Sequence, residues 1–308
     1  MSKIVDEIRA ACARVVDQAR YVSINLEAIP AYAASLVTGA TEPPPDPIAH
    51  LLAGSREELT AFWLTLDAIN FGSGWFPTLR KREGSSGYRT IAAGLRERFV
   101  ARGPWTAAEL EAIDTCELAA SLGQHPSHEL MALFADSLRD LGQHLACEHD
   151  GRFGSLLQAA AGSAVKLTEL LGEWECFADS STYAGFRVPF LKRAQIAAAD
   201  VCRAGVTDFG DLDQLTMFAD NLVPHVLRLD GVLGYDSELI ARIDRGELIA
   251  HGSPEEVEIR ACALHAVELI AASAPETFPA ELDQLLWQRG GEPRYKASPR
   301  HRSRCTAY

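Results

Sequence analysis

Helix-start signals recur along this chain while strand signals are scarce, and that asymmetry limits the fold more than any other feature of the sequence. Ser55-Arg56-Glu57-Glu58, Thr106-Ala107-Ala108-Glu109 and Ser253-Pro254-Glu255-Glu256 each set a hydroxyl three residues ahead of a glutamate. Hydroxyl and carboxylate can then satisfy free backbone N–H groups reciprocally at a helix N-terminus. In the third, Pro254 takes the first helical position, where a missing N–H costs nothing. Beyond it Ile259, Cys262, Ala263, Ala266 and Ile270 fall at helical spacing, which predicts a core helix to about Ser273 with one apolar stripe. Glu256 and Arg260, one turn apart, are expected to pair on its surface as helix support. Segments 4–19, 130–145 and 153–171 share the periodicity, rich in alanine and leucine and without β-branched alternation. With no βαβ rhythm and no internal repeat, the expected class is mainly α. The expected organisation is one domain over residues 1–308, divided into two lobes at most by a central cleft.

The segments that resist helix are Thr41-Glu42-Pro43-Pro44-Pro45-Asp46-Pro47, a proline-rich linker, and Lys81-Arg82-Glu83-Gly84-Ser85-Ser86-Gly87, a polar loop. At 47% hydrophobic and 23% charged residues over 308 positions, the chain has ample material for a core. The first residues turn charged at once, and no later apolar run approaches the roughly 18 residues needed to cross a bilayer. Seven scattered cysteines without a C-x-x-C pair read as reduced thiols. A cytoplasmic location is therefore expected, without a membrane partner, and a monomer is the simplest state. A formal net charge of −13 opposes duplex nucleic acid, which needs a basic face. A small molecule is the better partner.

Among chemical motifs, His125-x-x-His128 and the group His144, Cys147, His149 lack a third ligand at zinc spacing, so surface or capping histidines are expected and no metal. A nucleophile elbow and the glycine-rich phosphate and dinucleotide fingerprints are missing. More informative is the run from Phe62 to Pro77, read as a helix that ends at Gly72 in a turn crowded with aromatics. It would leave Asp67, Asn70, Phe71 and Trp75 near one mouth suited to a planar base, or else form a plain aromatic core capped by Asn70. Phe190-Leu191-Lys192-Arg193-Ala194-Gln195-Ile196 follows Pro189 and opens a helix through Ala199. Its first turn, with Lys192 or Arg193, is either an anion site for one phosphate or a solvated basic pair. Asp220 lies in the mostly apolar run 215–225, which makes it a cap, half of an ion pair, or a functional carboxylate.

Taken together these segments resemble the queuosine salvage protein family, the queuosine 5′-phosphate N-glycosylase/hydrolases. The resemblance rests on 67–71 with Trp75, Ser86-Gly87-Tyr88, 190–196, Thr216-Met217-Phe218-Ala219-Asp220, 256–262, Leu286-Trp287 and the tail His301-Arg302-Ser303-Arg304-Cys305-Thr306-Ala307-Tyr308. The turn Phe71-Gly72-Ser73-Gly74-Trp75 is looser than the family's aromatic stretch, and Gln288 stands where an acidic residue is expected. The resemblance implies a fold similar to the helix-hairpin-helix DNA glycosylases and cofactor-free hydrolysis of the N-glycosidic bond of queuosine 5′-monophosphate, releasing queuine. It implies Asp220 as the catalytic carboxylate with Lys192 beside it. Asp67 and Asn70 are candidates for the base edge and Phe71 or Trp75 for the ring plane. Arg193 and Tyr308 are helpers at the phosphate, and Phe218, Asn221 and Trp287 further substrate contacts. The alternative is a non-catalytic protein that binds a modified base or nucleotide in the same cleft.

Overall fold

A computed structural model describes residues 3–36, 46–274 and 277–308, so the proline-rich linker lies outside the described residues except for Asp46 and Pro47. Among these residues fifteen α-helices carry the architecture, and four short strands form two antiparallel pairs. The mainly helical class read from the sequence is observed. Val22–Ile24 pairs with Leu233–Tyr235 across the chain, and Ser180–Tyr183 pairs with Phe186–Pro189 in a hairpin. Ala184 and Gly185 both take positive φ at its tip, as the right-handed strand twist requires of a two-residue turn.

The caps behave as the local chemistry dictates at two of three sites. Glu58 N donates to Ser55 Oγ (3.2 Å) and Ser55 N to Glu58 Oε2 (2.7 Å), opening the helix Arg56–Ala68. Thr106 and Glu109 repeat the arrangement ahead of Ala107–Glu111. At Ser253 only the hydroxyl half forms, because the Glu256 carboxylate turns instead to the N–H of Gly252 (3.0 Å). The periodic segment 153–171 is two helices, Phe153–Ala159 and Ala164–Gly172. Left-handed Ala161 and Gly162 end the first, and Ser163 caps the second.

Pro254–Ser273 is the central helix. It packs against Lys3–Val16, Ile29–Leu36 and Pro279–Arg289, so its polar residues are buried along with the apolar stripe. The surface pair expected of Glu256 and Arg260 is corrected here: the two are 3.7 Å apart with both side chains at 0% exposure. Charges so placed persist only with partners. Glu258 Oε2 accepts the N–H groups of Arg20, Tyr21 and Val22 (2.9, 2.6 and 3.0 Å), and Oε1 accepts the Tyr183 hydroxyl at 2.7 Å. One glutamate thereby joins the N-terminal strand and the hairpin to the central helix. A contiguous apolar core runs from Val5 to Tyr295, and Cys305, Ala307 and Tyr308 form a small cluster apart from it. No described helix is long and apolar enough to cross a membrane.

Candidate active site

Two helix ends meet at the site. The helix Arg56–Ala68 stops at Ile69 rather than at Gly72, and its last carbonyls lack intrahelical donors. The helix Lys192–Arg203 supplies them from its first two side chains. Lys192 Nζ donates to Asn70 O at 2.9 Å and Arg193 Nη1 donates to Ala68 O, which sets two cations at the negative end of a helix dipole. Asp67 is held beneath them, fully buried, with Oδ1 accepting from Asn70 Nδ2 at 3.2 Å. Burial first, and then the like charge of Asp200, push Asp67 well above the usual carboxylate range, which favours its protonated form. The first N–H of Lys192–Arg203 is not free for a ligand, because the carboxylate of Asp179 accepts it at 3.1 Å.

Asp220 ends an irregular stretch, residues 215–220. Its Oδ1 accepts the N–H groups of Leu222 (2.8 Å) and Val223 (3.0 Å), capping the helix Val223–Leu229. The cap uses one oxygen, and the side chain keeps part of its surface open. Burial lowers the Lys192 ammonium below the ordinary lysine range, opposed first by the attraction of Asp220 and, beyond the repulsion of Arg193, by Asp67 and Asp283. Asp283 is itself buried and accepts Phe218 N at 3.0 Å. Its carboxyl is raised, by burial first and then by Asp220. Lys192 thus stands among three carboxyl groups, with Asp67 and Asp283 buried and raised and Asp220 partly exposed. That is a place where positive charge developing on a bound molecule would be stabilised.

The remaining candidates divide. Trp287 is 41% exposed, and its ring meets Tyr88 edge-on at 6.1 Å. Phe71 and Trp75 are buried against the helix Glu129–Glu148. Phe71 packs edge-on to Phe134 at 5.0 Å under the Arg193 guanidinium, and Trp75 Nε1 donates to Glu129 Oε2 at 2.7 Å. Phe218 is buried beside Asp220. Asn221 Nδ2 donates to Ser73 Oγ (3.0 Å) and His301 O (3.2 Å), tying the glycine turn to the tail. Tyr308 lies under the Arg260 guanidinium at 4.7 Å, on the far side of that turn, whose Gly72 N donates to Tyr308 O. The structure therefore brings Asp67, Asn70, Lys192, Arg193 and Asp220 into one electrostatic group, and leaves Phe71, Trp75 and Tyr308 in the surrounding packing.

Three of the histidines weighed as metal ligands have other partners: His125 with Ser127, His128 as the cap of Glu129–Glu148, and His144 stacked on Trp174 at 4.6 Å, while His149 lies against Trp174 at 5.7 Å with its Nε2 buried and unpartnered. Two useful residues were given no site role in the sequence reading, although Tyr88 stood in one of the segments that carry the resemblance. Asp283 lies one helical turn before Trp287, and that i, i+4 spacing was its available signal. The other is Tyr88, half-buried next to Trp287. His50 is held near pH 4 by burial, so its ring is neutral; Asp46 N donates to its Nδ1 (3.0 Å), so Nε2 carries the hydrogen and donates to Tyr88 Oη at 2.9 Å. The Tyr88 hydroxyl proton is then free to donate elsewhere.

Comparison with known proteins agrees with this geometry in extent. A model of the family described as queuosine salvage protein matches residues 50–308, which includes every residue of the site. A protein of Sphaerobacter thermophilus named queuosine 5′-phosphate N-glycosylase/hydrolase is 35% identical over 96% of this chain and 95% of its own length. Proteins of the same name from Mus musculus and Schizosaccharomyces pombe are 30% and 32% identical, over 83% and 75% of this chain and 83% and 71% of their own lengths. On the family match and the near full-length relatives together, this chain belongs to the queuosine salvage protein family.

Proposed function

We propose that this protein hydrolyses the N-glycosidic bond of queuosine 5′-monophosphate and releases queuine. The observation that carries the reading is Asp220, a partly exposed carboxylate beside the buried Lys192 in a family whose relatives are named for this reaction. Breaking the bond builds positive charge on the ribose C1′ and O4′ and negative charge on the departing base. Asp220 faces the sugar, stabilises the oxocarbenium-like state and orients the attacking water. Queuine is a 7-deazapurine without the N7 lone pair that other purine hydrolases protonate, so help to the leaving group comes from its other edges. Asp67 suits that task in its protonated form, which burial favours, because its Oδ2 is buried without a hydrogen-bond partner. Asn70 reads the same edge, and Trp287 covers the ring with Phe71 and Trp75 behind it. Lys192 holds the 5′-phosphate, whose binding fixes the sugar over the carboxylate. Arg193 and Tyr308 support that anchor from the packing, and Phe218 and Asn221 shape the floor around Asp220. The chain works as one domain and as a monomer in the cytoplasm, on a helical frame of the helix-hairpin-helix glycosylase kind, without cofactor.

The test is incubation of the purified protein with queuosine 5′-monophosphate, followed by chromatography. Free queuine is expected, with turnover several orders of magnitude lower in Asp220→Asn, which keeps shape and removes charge. Intact substrate bound by folded protein selects the alternative, a binding protein for a modified base or nucleotide. Near-normal turnover in Asp220→Asn returns that residue to capping alone.

A further inference from the structure

Residues 215–220 belong to no helix or strand, yet 215–219 are buried, so their backbone polar groups need partners from elsewhere. Three helices reach in to supply them. Gln195 Oε1 accepts Thr216 N at 2.9 Å, Asp283 Oδ1 accepts Phe218 N, and Arg260 Nε donates to Ala219 O at 2.9 Å. The third contact differs from the others in what lies behind it. The remaining face of the Arg260 guanidinium grips Asp179 in a fork, Nη1 to Oδ1 at 3.0 Å and Nη2 to Oδ2 at 2.6 Å, both side chains at 0% exposure. The same Asp179 Oδ2 accepts the N–H of Lys192. Asp179 also accepts, through its main-chain oxygen, the N–H groups of Phe190 and Leu191. Leu191 sits at φ 49°, a left-handed conformation that a leucine holds only where its surroundings enforce it.

One ion pair therefore touches the backbone next to Asp220 on one side and the backbone of Lys192 on the other. Stability alone gives no reason for it, since a buried pair is often matched or exceeded by apolar residues of similar volume. What the fork adds is geometry, because a planar guanidinium with fixed donor directions sets angles as well as distance. We propose that the Asp179–Arg260 pair is a positioning device that fixes Asp220 relative to Lys192, a role that rests on the reading of those two residues given above. Lysine at 260 would keep the charge and lose both the fork and the Nε donor.

The experiment compares Arg260→Lys with the wild type on queuosine 5′-monophosphate, alone and in the Asp220→Asn background, using single-turnover conditions with excess enzyme for the slow variants. A displacement on the order of 1 Å costs about 10²-fold in rate. Arg260→Lys is expected to lower kcat about 100-fold with KM changed less than about threefold, and to add less than about threefold to the loss in Asp220→Asn, since it acts through that carboxylate. An equal loss in both backgrounds, or a loss accounted for by the unfolded fraction in a thermal melt, overturns the proposal; so does wild-type kcat. If Arg260→Lys does not fold, Asp179→Asn, which keeps shape and weakens the fork, is read by the same two comparisons. A wild-type protein that releases no queuine overturns the activity itself and the device with it, whereas release at the same rate by wild type and Arg260→Lys overturns the device alone.

Discussion

Asp67 keeps a fully buried carboxyl with one oxygen unpartnered, an arrangement that costs the fold free energy it could avoid. The cost depends on pH with a definite sign. In the unfolded chain an aspartate ionises near 3.8, and in the fold burial and Asp200 raise it well above that. Between the two values the folded state holds a proton that the unfolded state has released, so this group's contribution to stability falls as pH rises from about 4. Asparagine at 67 is neutral in both states and escapes the penalty. Asp67→Asn is therefore expected to melt with the wild type, or slightly below it, near pH 4 and above it at pH 7–8, with a gain of roughly 2–4 °C for each kcal/mol released. A melting difference that is flat with pH would mean that Asp67 is ionised in the fold and no donor. Higher stability combined with lower turnover is the pattern of a residue kept for function against stability.

At the scale of elements, the glycine turn after Arg56–Ala68 is where local and long-range packing meet. A Cβ on Gly74 would stand 2.3 Å from Ser303 O and 2.9 Å from Arg304 N, and both are backbone atoms that cannot rotate away. Gly74→Ala must displace the tail, and Asn221, bonded to both Ser73 and His301, would carry that displacement to the neighbour of Asp220. The expected result is a loss of about 1–3 kcal/mol in urea unfolding, with faster tryptic cleavage after Arg302 and Arg304. Wild-type behaviour in both assays would show that the tail is not seated against this turn. The turn also illustrates what could be read from the chain in advance. Caps and helical periodicity are local, so the helices from Ser55, Thr106 and Ser253 were legible, and Asp220 stood out as a carboxylate in an apolar run. The break at Ala161 was hidden because periodicity continues across it. That Phe71 and Trp75 face Phe134 and Glu129 depends on partners some sixty residues away. The burial of Arg260 likewise depends on a distant partner, Asp179, 81 residues away on a segment with no local signal linking the two.

For the whole molecule, the net charge of −13 and a phosphorylated substrate pull in opposite directions, and the conflict separates two kinds of glycosylase. A protein that acts on bases within duplex DNA gains affinity by neutralising phosphates, and loses it steeply as salt rises. Here the long-range field repels a dianion, while in the function proposed above the attraction that holds it comes from Lys192 in a buried setting. At about 0.15 M salt the Debye length is about 8 Å, so added salt screens the distant repulsion more than the contact. Raising salt from about 20 to about 200 mM is therefore expected to lower KM for queuosine 5′-monophosphate or leave it level, and to leave KM for the unphosphorylated nucleoside unchanged. Damaged duplex DNA should give no retarded band at either salt concentration. A KM for the nucleotide that climbs tenfold with salt would mean that an exposed basic surface does the binding, and would move the phosphate site away from Lys192.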